Sequence, residues 1–224
     1  MIRVAIDGPA GVGKSSTSKA LAKYYGFAYL DTGAMYRAVS LFCIRNGWMT
    51  DSELNTAAIE KHIAEIQLEF RTNENGKAEM YMNGENIEKE IRTLDVANGA
   101  SKVSTLGAVR RELVRQQQKM GEKKGIVMDG RDIGTVVFPD AELKLFMTAS
   151  SKTRAQRRFD ELVEKGQHIT FEDVLQNVEE RDYIDTHRED SPLVKADDAI
   201  EVDNSSLTKK EQFELVLNLV KEKM

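Results

Sequence analysis

The stretch from Ile2 to Ser15 leaves few folds open to this chain. Ile2-Arg3-Val4-Ala5-Ile6-Asp7 reads as a buried strand, Gly8-Pro9-Ala10-Gly11-Val12-Gly13 as a glycine-rich turn, and Lys14-Ser15-Ser16 as a helix opening. From Gly8 the residues fit G-x-x-x-x-G-K-[ST], the loop whose backbone N–H groups wrap a phosphate chain. Gly8, Gly11 and Gly13 permit positive φ and close approach of backbone to ligand. Successive amides and the helix N-terminus concentrate positive potential at one point. Lys14 adds a mobile full charge for β- and γ-phosphates, and Ser15 offers its hydroxyl to Mg²⁺. The alternative is a chance glycine-rich turn, and the strand before and helix after it argue against that. The stretch implies an ATP or GTP site.

A chain of 224 residues, 41% of them hydrophobic, is expected to form one core with insertions. Its formal charge of −5 argues against a general nucleic-acid binder, although 32 residues are Lys or Arg. Cys43 has no partner for a disulfide, and its neighbours Leu41, Phe42 and Ile44 suggest a buried thiol in a reducing compartment. A strand opening at residue 2 leaves no room for a signal peptide, and no apolar run approaches a membrane span. A soluble cytoplasmic protein without a membrane partner is expected.

Residues 14–25 read as a helix with Ala20, Leu21 and Tyr24 on one face, ended by Gly26. Phe27-Ala28-Tyr29-Leu30 is a second strand, and Asp31-Thr32-Gly33-Ala34-Met35-Tyr36-Arg37 lies at its end, where open α/β sheets place ligands. Asp31 or Thr32 caps the helix that runs through Phe42, or faces a ligand, or does both. Residues 48–95 break the βα rhythm: Asp51 caps a helix to about Ile66, and Gln67–Arg71 and Ala78–Met82 alternate around an Asn73–Gly76 turn. Together they read as an inserted β-hairpin subdomain, closed by Asn83-Gly84. His62, His168, His187 and Trp48 read as surface or packing residues.

Residues 94–120 read as two helices meeting near Gly107, the second carrying Arg110, Arg111, Arg115 and Lys119. Most of these form a solvated face; one turns inward, and spacing does not say which. Gly125–Asp129 is the third strand, and its final acid stands where phosphate-loop proteins order Mg²⁺ or its water. Gly130-Arg131-Asp132-Ile133-Gly134-Thr135 reads as a polar loop at the same sheet edge, and Leu143–Met147 as the fourth strand. A helix over about 152–165 puts Arg154, Arg157 and Arg158 on one face, which calls for an anion opposite or for solvation helped by Glu161 and Glu164. A helix over about 171–189, capped at Thr170, aligns Arg181, Asp185 and Arg188, and an Arg181–Asp185 surface pair is the simplest account of them. Ala199–Val202 is a fifth strand and 208–223 a closing amphipathic helix.

These elements make a doubly wound α/β domain with a five-stranded parallel sheet and a phosphate loop, carrying a small α+β insertion. A protein that only binds ATP needs few arginines; one that also holds a phosphate monoester needs bidentate guanidinium contacts for it. Arg37, Arg131, Arg181 and Arg188 are candidates, with Asp132 and Asp185 to read donors on a base or sugar. A small-molecule phosphotransferase follows. An ATP-binding regulatory or nucleic-acid module is the alternative from another class.

Along essentially its whole length the chain resembles the bacterial cytidylate kinases, part of the nucleoside monophosphate kinase group. The resemblance rests on Ile6–Ser16, Leu30–Arg37, Glu90–Thr93, Val96–Ser101, Gly130–Ala141 with Asp129 before it, Arg181-Asp182, Asp185, Arg188 and Ser191-Pro192-Leu193. It implies transfer of the γ-phosphoryl of Mg-ATP to CMP or dCMP by a monomer, with an acceptor-binding subdomain at about 38–95 and a lid at about 150–168. By this resemblance Gly8, Pro9, Ala10, Gly11, Val12, Gly13, Lys14, Ser15 and Ser16 hold ATP, Ser15 meets Mg²⁺ and Asp129 stands behind it. Arg37 and Arg131 would hold the acceptor phosphate, with Tyr36 beside them in the acceptor site. Thr32 (often Ser in the family) and Asp132 would take the cytosine amino group, Arg110 and Arg188 the ring edge. Ser101, Arg181 and Asp185 would meet the pentose, and Arg154, Arg157 and Arg158 would lie over ATP, with Lys14, Arg131 and Arg158 neutralising the transferring group.

Overall fold

The computed structural model describes residues 1–50, 53–74, 76–164 and 166–224. In chain order the first half comprises β1 (Arg3–Asp7), α1 (Lys14–Tyr25), β2 (Ala28–Asp31), α2 (Thr32–Arg45), α3 (Thr56–His62), β3 (Leu68–Thr72), β4 (Ala78–Met82), β5 (Glu85–Asn86) and α4 (Leu94–Val103). Then follow α5 (Gly107–Met120), β6 (Ile126–Gly130), β7 (Leu143–Thr148), α6 (Ser151–Glu164), α7 (Phe171–His187), β8 (Ile200–Asp203) and α8 (Lys209–Lys221). The chain forms two compact units, Met1–Tyr29 with Lys123–Met224, and Leu30–Glu122.

The first unit is built on a five-stranded sheet in the order β2-β6-β1-β7-β8. β1 pairs parallel with β6 and with β7, and β7 parallel with β8. From β1 the chain crosses to the edge strand β2, returns to β6 beside β1, and then passes to β7 and β8 on the other side, so the loop after β1 opens at the switch point where such sheets bind ligands. Strands covered on both faces need apolar residues on both. Val4, Ile6, Val127, Leu143, Leu145 and Met147 meet Leu21 and Ala22 of α1 and Val216 and Val220 of α8. Each such side chain stabilises the fold by about 1.5–3 kcal/mol when fully buried. A smaller cluster of Ala155, Leu162, Val174 and Val178 joins α6 to α7. Thr170 caps α7, its side chain accepting from the Asp173 N–H while Asp173 answers the cap. Residue 165, where the first of these helices was expected to end, lies outside the described residues.

The buried side of α1 differs from the sequence expectation. Thr17, Ser18, Leu21 and Ala22 face inward, whereas Tyr24 is 57% exposed. Small polar residues are packed beneath the phosphate loop, and a hydrophobic pattern does not register them. Gly26 ends the helix in the left-handed region, as expected. Gly130–Thr135 is not an open loop: β6 runs through Gly130, and Ile133–Val137 winds into one wide helical turn.

The second unit centres on α2, capped by the Asp31 carboxylate, which accepts the Ala34 N–H at 3.0 Å. Around it gather Met35, Val39, Met80, Ile87, Ile91, Val103 and Leu113. β3 and β4 pair antiparallel from Leu68↔Met82 to Thr72↔Ala78. Asn73 turns the hairpin, its N–H donating to the Lys77 carbonyl; Asn75, also assigned to that turn, lies outside the described residues. Asn83 and Gly84, both at positive φ, do not close the hairpin but reverse the chain into β5, a third strand on β4. Asp51 lies outside the described residues. The helix expected from it begins at Thr56, capped by Asn55, and gives way to a tighter turn at Ile63–Glu65. Trp48 packs on His62 and Phe42 at ring separations of 5.1 and 5.6 Å. Cys43 is buried, which pushes its thiol up to about 12. Among the described residues no helix is long and apolar enough to cross a membrane.

α4 lies against α2 at Gly99, where a Cβ would run into Ser40 Oγ and Met49 Sδ. Gly99→Ala is expected to lower the unfolding free energy by about 1–3 kcal/mol. Urea unfolding reads this as a lower midpoint at unchanged slope; an unchanged midpoint would mean the helices separate there without cost.

Candidate active site

In the first unit the loop after β1 owes its path to its glycines. Gly8, at φ 144°, packs so closely on the Met147 carbonyl that a Cβ would clash with it. Gly13, at φ 93° and ψ 10°, is the N-cap of α1 and offers no side chain of its own. The cap amides are thereby left to a ligand, which suits an anion. Val12 is fully buried and anchors the loop, while Pro9, Ala10, Gly11, Ser15 and Ser16 lie at or near its surface. Lys14 curls back, its ammonium donating to the Gly8 and Pro9 carbonyls at 2.6 and 2.7 Å. Burial, and then the Arg131 charge, hold its pKa below the ordinary lysine value, against the pull of Asp129, Asp185 and Asp7.

β6 brings its acids to the same place. Ile6 is in register with Asp129 and Asp7 with Gly130. The Ser15 hydroxyl donates to Asp129 Oδ2 at 2.9 Å. A hydroxyl and a buried carboxylate are hard oxygen donors at the phosphate end of the loop. That suits Mg²⁺, which takes one or two protein oxygens beside phosphate and water. No cluster of three or more His, Cys, Asp or Glu that could hold a metal occurs among the described residues.

Arg131 and Asp132 follow directly. Arg131 Nε donates to Asp185 Oδ2 at 2.6 Å, so Arg131 has the partner in α7 that helix spacing assigns to Arg181. Burial works against both charges, yet the attraction prevails: Arg131 stays above its ordinary pKa and Asp185 below its own. Asp185 Oδ1 lies 3.4 Å from Arg188, whose guanidinium also donates twice to the Ser191 carbonyl. Arg181 adds its charge to the same acid from α7. Asp132 is 4% exposed and precedes the wide turn.

The α6 arginines diverge instead of sharing one open face. Arg154, 4% exposed, grips both oxygens of Asp182 at 2.9 and 2.5 Å and donates to the Ala10 carbonyl of the loop at 3.1 Å. Arg157 donates to Asn204, and Arg158 to Glu161 near the surface. Asn204, fully buried, also reaches the Val12 carbonyl at 2.6 Å. Sequence reasoning missed Asn204 and Asp182 as supports of the loop, because nothing local marks a contact between β8 and a loop after β1.

Thr32, Tyr36, Arg37, Ser101 and Arg110 belong to the second unit. Arg37 is held by Asp31 Oδ2 at 2.9 Å, and Arg92 reaches the same oxygen at 3.2 Å. Burial opposes the Asp31 charge, but Arg37 and Arg92 outweigh it and keep its pKa below the ordinary value. Asp31 thus caps α2 and orients an arginine one turn into it. Arg110 is the inward-turning cation of α5: 2% exposed, it donates to the Ser104 carbonyl and lies 5.7 Å from the Tyr36 ring centre. Arg111, Arg115 and Lys119 stay exposed. Thr32 is buried at the start of α2 and Ser101 half-buried in α4.

The family model described as cytidylate kinase matches residues 4–222. The chain belongs to the cytidylate kinase family. It is 61% identical to a cytidylate kinase of Flavobacterium johnsoniae over 98% of its own length and 96% of that protein's. It is 55% identical to one of Flavobacterium psychrophilum, over 98% and 97%. A solved but uncharacterised protein from Eubacterium ventriosum shares the fold, with a TM-score of 0.51 at 10% identity over 99% of this chain and 98% of that one. Membership accounts for arginine-bearing segments that a bare phosphate loop does not need.

The Arg131–Asp185 pair predicts a pH signature. Asp185 is depressed below its ordinary 3.8 in the fold, so its stabilisation is present above that pH and is lost as pH falls through the depressed value. Asp185→Asn is expected to cost about 3 kcal/mol near neutrality. The gap in urea midpoint between wild type and variant should narrow below pH 3.8. A gap independent of pH would remove the ion pair as its cause.

Proposed function

We propose that the chain transfers the γ-phosphoryl group of ATP to CMP or dCMP, giving CDP or dCDP for pyrimidine nucleotide metabolism, as a cytoplasmic monomer without a nucleic-acid partner. The observation that carries this reading is the end of β6: Asp129 bonded to the loop's Ser15, then Arg131 locked by Asp185, then Asp132. One strand end so equipped serves both a triphosphate and a second, phosphate-bearing substrate.

ATP lies in the amides of Gly8–Ser16, with Arg154, Arg157 and Arg158 of the 150–168 arm over it. Lys14 releases the Gly8 and Pro9 carbonyls and takes the β- and γ-phosphates. When bound at Ser15, with Asp129 behind it, Mg²⁺ supplies charge neutralisation between those phosphates. Arg37 and Arg131 hold the acceptor phosphate, Arg131 with its direction set by Asp185, and Tyr36 lines the acceptor site in the 38–95 region. Thr32 and Asp132 accept from the cytosine amino group, Arg110 and Arg188 meet the ring edge, and Ser101, Arg181 and Asp185 the pentose. The attacking oxygen belongs to a phosphate already ionised at neutral pH, so no general base is required. The residues' work is alignment and neutralisation of charge on the transferring oxygens, with Lys14, Arg131 and Arg158 supplying the cations. Closure of the arm excludes water as a competing acceptor.

ADP release from Mg-ATP with CMP, dCMP, UMP, AMP and shikimate offered separately tests the reaction and the acceptor together. Turnover with CMP and dCMP and little with the others is expected; no acceptor-dependent turnover with ATP still bound would return the chain to the ATP-binding modules. Arg131→Ala is expected to lose at least about 100-fold in kcat/KM for CMP, as removal of a charged transition-state contact does. Its ATP affinity should stay near that of the wild type, and an unchanged kcat/KM would remove Arg131 from the acceptor site.

A further inference from the structure

Asp7 ends β1, one residue before Gly8, and is 5% exposed. Its two oxygens take consecutive backbone donors: Oδ1 accepts the Ile133 N–H at 2.8 Å and Oδ2 the Gly134 N–H at 2.7 Å. These amides open the wide turn that follows Arg131 and Asp132. A carboxylate spanning two successive N–H groups fixes the peptide plane between them. Behind that plane the backbone of Asp132 (φ −145°, ψ 26°) sets the direction in which its side chain leaves. The turn has no slack on its other side, since a Cβ on Gly134 would lie 3.2 Å from Lys144 Cδ and 3.4 Å from Asp7 Oδ2. Burial pushes the Asp7 carboxyl up to about 6, with the two amides and Lys14 opposing and Asp132 adding to the rise. Space-filling alone would be met at less cost by an apolar residue.

We propose that Asp7 is a positioning residue for acceptor-base selection: by clamping the Ile133 and Gly134 amides it aims Asp132 at the amino group of a cytosine ring. The proposal rests on the base-reading role given to Asp132 above. It gives a buried carboxylate a task where β1 becomes the phosphate loop. The strand that presents the donor's loop also sets the angle of the acid that inspects the acceptor, so triphosphate and base are placed from one rigid strand end. Uracil offers a carbonyl where cytosine offers an amine. An acid turned away from that position loses its preference between them, because selectivity there comes from hydrogen bonds made or left unmade.

The test compares Asp7→Asn, Asp7→Glu and Asp132→Ala in the full chain. Asn keeps one acceptor oxygen but turns an NH2 group toward the second amide. Asp7→Asn is expected to lower the CMP:UMP ratio of kcat/KM by about tenfold, mainly through KM for CMP, as small misplacements near a reacting pair do. The Kd for Mg-ATP should move less than about twofold, since truncating a group outside a contact surface has small effects. The Gly134 amide proton resonance should move as its acceptor is lost. Asp7→Glu keeps both acceptor oxygens on a longer stem and is expected to fall between wild type and Asn; it also serves if the Asn variant does not fold. A shifted Gly134 resonance with an unchanged CMP:UMP ratio would overturn the proposal, as would a parallel loss of ATP and CMP affinity at constant ratio, which marks support of the loop alone. If Asp132→Ala itself leaves the ratio unchanged, the failure lies in the base-reading role and the proposal falls with it.

Discussion

Hydrogen bonding of β1 to β6 on one side and to β7 on the other sets the level at which everything polar in the first unit emerges. With Ile6 beside Asp129 and Asp7 beside both Gly130 and Phe146, β1 and β6 end level and β7 runs two residues further. The phosphate loop leaves the first, the acid that touches Ser15 stands one residue before the end of the second, and the third packs its Met147 carbonyl on Gly8. A slip of one residue in either ladder would send alternate side chains to the opposite face, and in the β6 ladder it would separate Ser15 from Asp129. Parallel strands allow no such slip while both their faces are packed with Val, Ile and Leu. The chemistry is thus located by the apolar residues beneath it.

Each unit also buries charge of its own. An ion removed from water demands a partner, and several here find an opposite charge on another element. Arg131 has Asp185, Arg154 has Asp182, and Asp31 has both Arg37 and Arg92. The effect on geometry matters more than the effect on stability. A guanidinium held at one nitrogen by a carboxylate presents its remaining N–H groups in a fixed plane, which is what recognition of a phosphate requires.

Much of this was readable in the residues. The strand, turn and helix around Gly8–Ser15 were clear because glycine at positive φ and a lysine at a helix start are local requirements. The five strands and the ends of α1 and α7 were likewise set by nearby residues. What stayed hidden depends on partners far along the chain. Asp7 meets amides 126 and 127 positions away, Asp31 meets Arg92 61 positions away, and Asn204 meets Val12 192 positions away. Periodicity also misled where burial is polar. Thr17 and Ser18 face inward while Tyr24 does not, and the Arg181–Asp185 spacing suggested a pair when Asp185 had a stronger partner in Arg131. Asn83-Gly84 has the turn chemistry of a hairpin end and instead leads into one more strand. Spacing alone does not tell Arg110 from Arg111, Arg115 and Lys119, and it is Arg110 that the fold buries.

The inward curl of Lys14 has a thermodynamic side. A run of left-handed and extended residues such as Gly8–Gly13 makes almost no hydrogen bonds of its own and would be expected to fluctuate among many shapes. Two bonds from one ammonium to the Gly8 and Pro9 carbonyls tie the two ends of that run together. The loop is therefore wound by the chain's own bonds, and the entropy of ordering it is met in folding, which leaves less of it to be met by anything the loop later holds.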